Sequence, residues 1–526
     1  DENLLGKAGA LGNLGRTLFL AGNLPEAENR LREAIAIFEN IRTGFGKEDL
    51  KKVSFFDVYT DVYELQQQVL IAQNKSEAAL EVAEKGRARA LAELLASRAG
   101  LKEFQVPSPN LQQIQNIAKE QNATLVEYSI IYDSSQTLIP ARIQCLQPSQ
   151  ESKLFIWVVQ PTGKVNFRQV DLKNLGQVHK KSLADFVFNF RESIGVRGRD
   201  AQVVSNPEHQ ERDAKIIPSP TPQDDNQFLH QLYNLLIEPI KQLLPTDENA
   251  HVILIPQGTL FLLPFAALQD ESGKCLVEKH TIRIAPSIQV LDLTRHQKRV
   301  KQQGSEVLIV GNPTMPKIAL EIGKSAQRLE PLPGSKEEAI EIARLMKTKY
   351  LTGDEATKIA ILQNMPRARI IHLATHGLLD DFKGKNVPGA IALAPYGEDD
   401  GILTADDILD QELNAELLVL SACNTGRGRV TGDSVVGLSR SFISAGVSSI
   451  VVSLWAVPDA PTAFLMKAFY QNLKNNLDKA QALRQAMLMT MKQNPNPRAW
   501  AAFTLIGEAE WALNLTQNKD ECTAES

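Results

Sequence analysis

Two short apolar runs late in the chain limit what it can fold into. Ile370–Ile371–His372–Leu373–Ala374 runs into Thr375–His376–Gly377, and Leu417–Leu418–Val419–Leu420 runs into Ser421–Ala422–Cys423–Asn424–Thr425–Gly426. Each reads as a buried strand that stops in a polar, glycine-containing loop, one with a histidine at its tip and the other with a cysteine. Neither run alternates apolar with polar residues. Such strands are buried on both faces, which is the condition of a parallel sheet between two layers of helices.

The same pattern recurs on either side. His251–Pro256, Thr281–Ala285, Val307–Gly311, Arg369–Leu373, Ala390–Ala394, Leu417–Ser421 and Ser448–Leu454 are short apolar runs. Most are separated by helical stretches such as Lys336–Lys347 and Lys358–Asn364, and Phe228–Leu244 reads as one amphipathic helix closed by Pro245. Over residues 227–526 this alternation predicts an α/β domain with a mostly parallel central sheet flanked by helices. Ligands of such sheets sit beyond the carboxyl ends of the strands, so His376 and Cys423 can face one crevice.

Residues 1–99 read differently. Leu11, Leu14 and Leu18, then Ala27, Leu31, Ala34, Ile35 and Phe38, recur at helical spacing, broken by Gly22–Asn23–Leu24–Pro25. This helix–turn–helix resembles a tetratricopeptide repeat, with Gly15, Ala27 and Ala34 where helices must approach closely. A second, looser pair turns at Asn74–Lys75–Ser76. A plain helical hairpin is the alternative. Glu84–Lys85–Gly86–Arg87–Ala88–Arg89 reads as a continuing helix with a solvated basic face. Gly100 to Asn110 reads as a linker. Beyond it, residues 100–226 carry expected strands at Ala123–Tyr132, Leu154–Val159 and Val165–Val170, a helix at Ser182–Ile194, and a long polar loop over about 197–225.

Composition excludes several classes. Lys and Arg number 57 against 62 Asp and Glu, a net charge of −5, so no basic domain argues for nucleic acid. No apolar run reaches the roughly 18 residues a membrane helix needs. Four cysteines in 526 residues are too sparse for a disulfide framework, and a cytoplasmic location is expected. The opening Asp1–Glu2–Asn3 has neither an initiator methionine nor a signal-peptide pattern, so further N-terminal repeats are expected ahead of it.

A free thiol ionises near pH 8.5, so it needs help to become a nucleophile at neutral pH. A neighbouring imidazole can take its proton, and attack on a carbonyl makes an oxyanion that needs donors. Gly377 and the Cys423–Asn424 turn supply small residues whose backbone N–H groups can serve. Bland readings stand beside this one. Cys423 can be an inert buried thiol. His372 and His376 have a metal-ligand spacing if they lie on a helix, but the run reads as a strand, so no metal and no cofactor is expected. His372 then reads as a core histidine.

His376 precedes Cys423 by 47 residues, close to the caspase order of His about 50 residues before Cys. The chain resembles the CHAT-domain family, caspase- and separase-like cysteine peptidases coupled to tetratricopeptide repeats. The strings that carry the resemblance are HLATHG at His372–Gly377, LSACNTG at Leu420–Gly426, GLSRSF at Gly437–Phe442 and AGVSSIVVSLWAVPD at Ala445–Asp459. PQGTLFLLPFAAL at Pro256–Leu268, VGNP at Val310–Pro313, LPGSKEEA at Leu332–Ala339 and DGILTADDI at Asp400–Ile408 support them. The resemblance implies a caspase-like fold, with His376 as general base, Cys423 as nucleophile, and the N–H groups of Gly377 and Cys423 as oxyanion hole. It implies that residues 100–226 form a pseudo-caspase-like or connecting region. It points to Asp459, beyond Trp455, as the acid that selects a basic residue before the scissile bond, although Ala456 stands where separases often carry a further acid. Asp433 is a second candidate, or a loop turn residue. The implied activity is endopeptidase cleavage of protein substrates, regulated by a protein partner on the helices. The rival is a catalytically silent scaffold. A small-molecule thiol hydrolase or transferase would instead need a closed apolar pocket.

Overall fold

The computed structural model describes residues 2–43, 49–98, 108–133, 151–173, 182–193, 222–300, 305–318, 326–378, 389–421, 438–455, 457 and 459–511. The chain opens with five helices: α1 (Glu2–Leu20), α2 (Leu24–Thr43), α3 (Asp49–Ala72), α4 (Ser76–Lys85) and α5 (Arg89–Arg98). The small residues lie where helices meet. A Cβ on Gly15 would fall 2.6 Å from Leu31 Cγ, and Ala27 and Ala34 are fully buried. Gly22, at φ +80°, makes the turn into α2.

The described residues do not form the expected continuing helix, and Arg87 is not on a solvated face. Helix α4 stops at Lys85, and the chain turns through Gly86–Ala88, with Ala88 at φ +49°. Glu84 and Arg87 are buried. The Arg87 guanidinium donates to the carbonyls of Tyr128 (2.6 Å) and Pro256 (2.8 Å), so it is drawn into the sheet rather than left in water.

After α6 (Leu111–Gln121), capped by Asn110, comes the first strand of the main sheet, β1 (Ala123–Tyr132). It is followed by β2 (Glu151–Val159), β3 (Val165–Asp171), β4 (His251–Ile255), β5 (Thr281–Ile284), β6 (Glu306–Pro313) and β7 (Leu351–Gly353). The last four are β8 (Ala368–Ala374), β9 (Leu417–Leu420), β10 (Ser449–Ser453) and β11 (Phe503–Gly507). Their order across the sheet is β3-β2-β1-β4-β5-β11-β10-β9-β8-β6-β7. Only β1–β2, β2–β3 and β10–β11 pair antiparallel. The architecture is therefore a helical N-terminal region followed by an α/β domain with a mostly parallel central sheet, as the sequence predicts.

The covering helices are α7 (Leu183–Ser193), α8 (Pro222–Leu236), α9 (Ile288–Val300), α10 (Pro333–Met346), α11 (Leu438–Ala445), α12 (Asp459–Lys474) and α13 (Lys479–Gln493). Consecutive strand residues serve opposite cores. Leu125 and Ile253 join Leu80, Ile117 and Leu291 on one face, while Val126 and Leu254 join Leu91 and Leu232 on the other.

Three further expectations change. Phe228–Leu244 is not one helix: α8 ends at Leu236 and a 3₁₀ turn spans Glu238–Leu243, because Pro239 has no N–H to continue the ladder. The polar loop expected over 197–225 lies mostly outside the described residues, and its last part, from Pro222, already belongs to α8. Ala390–Ala392 is not in the main sheet. It forms an outer antiparallel sheet with Gly377–Leu378 and Ile402–Thr404, since the chain leaves the main sheet at His376. The runs at Leu351–Gly353 and Phe503–Gly507 are strands without having been expected.

Candidate active site

Strand β8 lies inside the sheet between β6 and β9 and delivers Thr375, His376 and Gly377 from its carboxyl end. Leu373 is in register with Leu420 of β9. His376 and Cys423 each follow that aligned pair by three residues in the sequence. Cys423 and Asp433 themselves lie outside the described residues.

His376 is partly exposed, and its Nε2 is 2.7 Å from the main-chain carbonyl oxygen of Glu330. A carbonyl only accepts, so Nε2 must carry the proton and donate it. In the neutral ring, Nδ1 is then the basic nitrogen. The residues around the ring are pinned. Thr375 Oγ1 donates to Ala392 O (2.7 Å), and Ala392 N donates to His376 O (2.9 Å). Gly377 is paired with Ile391, and the ladder bond runs through the flanking His376 and Ala392. Gly377 therefore sits at a non-hydrogen-bonded position, with its own N–H pointing away from that strand.

Beside His376 is a pocket whose lining includes Ser335, Glu338, Thr375, Ser421, Trp455 and Val457. Its lining carries a carboxylate. Glu338, on α10, is 2% exposed, and its Oε1 is 3.0 Å from Nε2 of the fully buried His372. His372 Nδ1 is 3.1 Å from the Tyr470 hydroxyl. That hydroxyl ionises well above its ordinary range, first because it is buried and then because the Glu338 carboxylate opposes a second negative charge. Gly311 of β6 sets the depth of α10, since a Cβ there would overlap Ala339 and the Ser335 carbonyl. Trp455 is fully buried, and its Nε1 donates to Arg498 O (3.1 Å).

The structure thus brings together His376, Gly377 and Trp455 at one end of the sheet. Asp459 opens α12, and its side chain lies outside the described residues. The sequence reading missed Glu330, whose contribution is a main-chain atom with no side-chain signature. It also missed Glu338, for which a signal existed: Glu338, Ala339, Ile342, Ala343 and Met346 share the buried face of α10, so a carboxylate sits on a mostly apolar helix stripe. Among the described residues no group of three His, Cys, Asp or Glu side chains is placed to hold a metal. No helix among them is long and apolar enough to cross a membrane.

Comparison with known proteins gives three findings. Residues 226–508 match the CHAT domain. The human protein Tetratricopeptide repeat protein 28 is 27% identical over 94% of this chain, and its mouse counterpart is 26% identical over the same share. This chain spans about a quarter, 24%, of the length of those relatives. A crystal structure of the Saccharomyces cerevisiae separase–securin complex aligns with 96% of this chain and 40% of its own, at 11% identity and a TM-score of 0.49. The CHAT match covers more than half of the 526 residues, and the chain belongs to the CHAT-domain family.

Proposed function

We propose that the protein is a cysteine endopeptidase. His376 acts as the base, Cys423 as the nucleophile, and the N–H groups of Gly377 and Cys423 as the oxyanion hole. One observation carries the reading: the Glu330 carbonyl accepts a hydrogen bond from His376 Nε2–H, which leaves Nδ1 of the neutral ring with its lone pair at the tip of β8. The shared register of β8 and β9 supports a short path between that nitrogen and the Cys423 thiol. Proton transfer from sulfur to Nδ1 would yield the thiolate that attacks a peptide carbonyl, and Nδ1 would return the proton to the leaving amine. The N–H of Gly377, directed away from the paired strand, supports its oxyanion role. The pocket beside Thr375 and Ser421 supports a binding site for the substrate side chain, with Trp455 as wall and Glu338, Asp459 and Asp433 as the candidate acids. Residues 1–99, 100–226 and 227–526 would be the helical docking region, a pseudo-caspase-like or connecting region and the peptidase domain, and a protein partner on the helices would regulate it in the cytoplasm.

The test is cleavage of a peptide library and of candidate proteins. Cys423→Ala and His376→Ala should each lower cleavage by about a thousandfold or more with an unchanged melting temperature. Full activity in Cys423→Ala would end the proposal. A second reading, a silent scaffold, is favoured by the relatives' description as tetratricopeptide repeat proteins. A peptide carrying a thiol-reactive group separates the two, because a scaffold leaves Cys423 unlabelled with or without partners.

A further inference from the structure

Arg191 is among the largest fully buried side chains of the protein, at 1% exposure. It lies on α7, ahead of the matched CHAT segment. Its guanidinium donates to two main-chain carbonyls: Nη1 to Leu262 O at 2.9 Å and Nη2 to Leu454 O at 2.7 Å. Leu454 follows the end of β10, and the next residue, Trp455, is the pocket wall. The Leu454 N–H donates to Ala502 O (2.7 Å), so the peptide groups on both sides of this residue are anchored.

Leu262 ends the short segment that begins at Pro256, the residue whose carbonyl Arg87 holds at 2.8 Å. Arg87 lies between α4 and α5. Two buried guanidinium groups, both from segments ahead of residue 226, therefore grip the two ends of Pro256–Leu262, and one of them reaches on to the pocket wall. Burying such an ion is costly unless fixed partners replace its water shell. The planar fork of arginine suits two carbonyls at a set angle, which a lysine ammonium does not reproduce.

We infer that Arg191 is a positioning residue for the substrate pocket, and that Arg87 extends this clamp to the helical region. The pocket wall is incomplete without residues outside the CHAT segment, and a shift of the α4–α5 junction is passed through Pro256–Leu262 and Arg191 to Trp455. This rests on the peptidase reading only for what the pocket holds; the clamp itself is tested without any chemistry.

The experiment uses the full chain with Arg191→Met, Arg191→Lys and Arg87→Met. Amide hydrogen exchange is read over residues 449–457 and 256–262. Loss of a charged hydrogen bond should speed exchange roughly tenfold or more over 449–457 in Arg191→Met. Arg191→Lys should be intermediate, and Arg87→Met should affect 256–262 most. Unchanged local exchange in a folded Arg191→Met overturns the clamp. If that variant fails to fold, Arg191→Lys decides by the same criterion.

A second arm reads the site. A peptide electrophile that fills the pocket should label Cys423 about tenfold more slowly in Arg191→Met, while iodoacetamide, which needs no pocket, labels it at the wild-type rate and pH profile. Equal slowing of both reagents overturns the positioning role and leaves a structural one. If iodoacetamide finds Cys423 no faster than an ordinary thiol in the wild type, the dyad reading fails, and the exchange data still decide the clamp.

Discussion

A carbonyl oxygen cannot donate, so the contact between Glu330 and His376 fixes which imidazole nitrogen holds hydrogen. A second imidazole, that of His372, lies four residues earlier on β8. His372 Nδ1 is 3.1 Å from the Tyr470 hydroxyl, and Glu338 Oε1 stands 3.0 Å from Nε2 in an arrangement that makes no hydrogen bond. That carboxylate keeps unused lone pairs, and among the described residues no lysine or arginine pairs with it. A buried carboxylate in this state favours a cationic guest over a neutral one of the same length. On the peptidase reading, Glu338→Gln should cut the preference for a lysine peptide over its norleucine analogue by roughly tenfold, mainly through KM, and spare kcat on the neutral peptide. Steady-state constants for the two peptides check this. If Asp459→Asn removes the preference and Glu338→Gln does not, the selecting acid is the one the family resemblance suggests.

At the scale of elements, the joint between α3, α4 and the strands β1 and β4 is built from charge. Glu84, at the end of α4, accepts from the N–H groups of Ile288 (2.9 Å) and Gln289 (3.2 Å), capping α9. Glu127 of β1 stands beside it, and Arg87 lies 3.4 Å from Glu127 Oε1. Burial raises the Glu127 carboxyl well above its ordinary range, the Glu84 charge raises it further, and Arg87 opposes both. Burial also raises Glu84 and lifts Glu64 of α3 to about 8, where the Asp61 charge adds to burial while the Gln257 hydrogen bond and Arg87 counter it. The folded state thus holds protons that the unfolded chain releases above about 4.5. The stability these carboxyl groups contribute is fully present below that value and declines as pH rises toward 8. Melting temperature should fall between pH 5 and pH 8, and Glu64→Gln should remove about 2–4 °C of that fall. A pH-independent difference between the two proteins would refute the assignment.

This joint also marks the limit of what the sequence discloses. Strand existence was legible wherever apolar runs were long, as at β1, β4, β8 and β9. Leu351–Gly353 was too short to signal, and Phe503–Gly507 was hidden behind Trp500–Ala501–Ala502, where helix and strand periods coincide. His376 and Gly377 were legible because a strand end places them. Arg87 was misread because helical periodicity describes one element at a time, and only the close contact of Gly86 with Tyr63 and the pull of distant carbonyls break the helix there.

For the molecule as a whole, the CHAT match begins at residue 226, but the sheet does not. Strand β4 pairs on one side with β5 and on the other with β1, with His251–Ile255 aligned to Ala123–Glu127. Ile253 and Ile255 are fully buried beneath a core that includes Leu80, Ile114 and Trp157, all supplied by residues ahead of 226. A chain cut to 226–508 would leave β4, His251–Ile255, as an unpaired apolar edge and strip one face of it. Such an edge pairs with other chains, and the lost cover amounts to about 1.5–3 kcal/mol for each large apolar side chain returned to water. We therefore expect the 226–508 segment alone to aggregate or melt without a cooperative transition. A chain that keeps residues 1–511 should unfold with the sheet and the joint together. Sedimentation and calorimetry on the two chains check this. A soluble monomer of 226–508 with a sharp transition would mean that the matched segment folds as a domain of its own, and that the helical region and the first three strands are additions to it rather than half of its core.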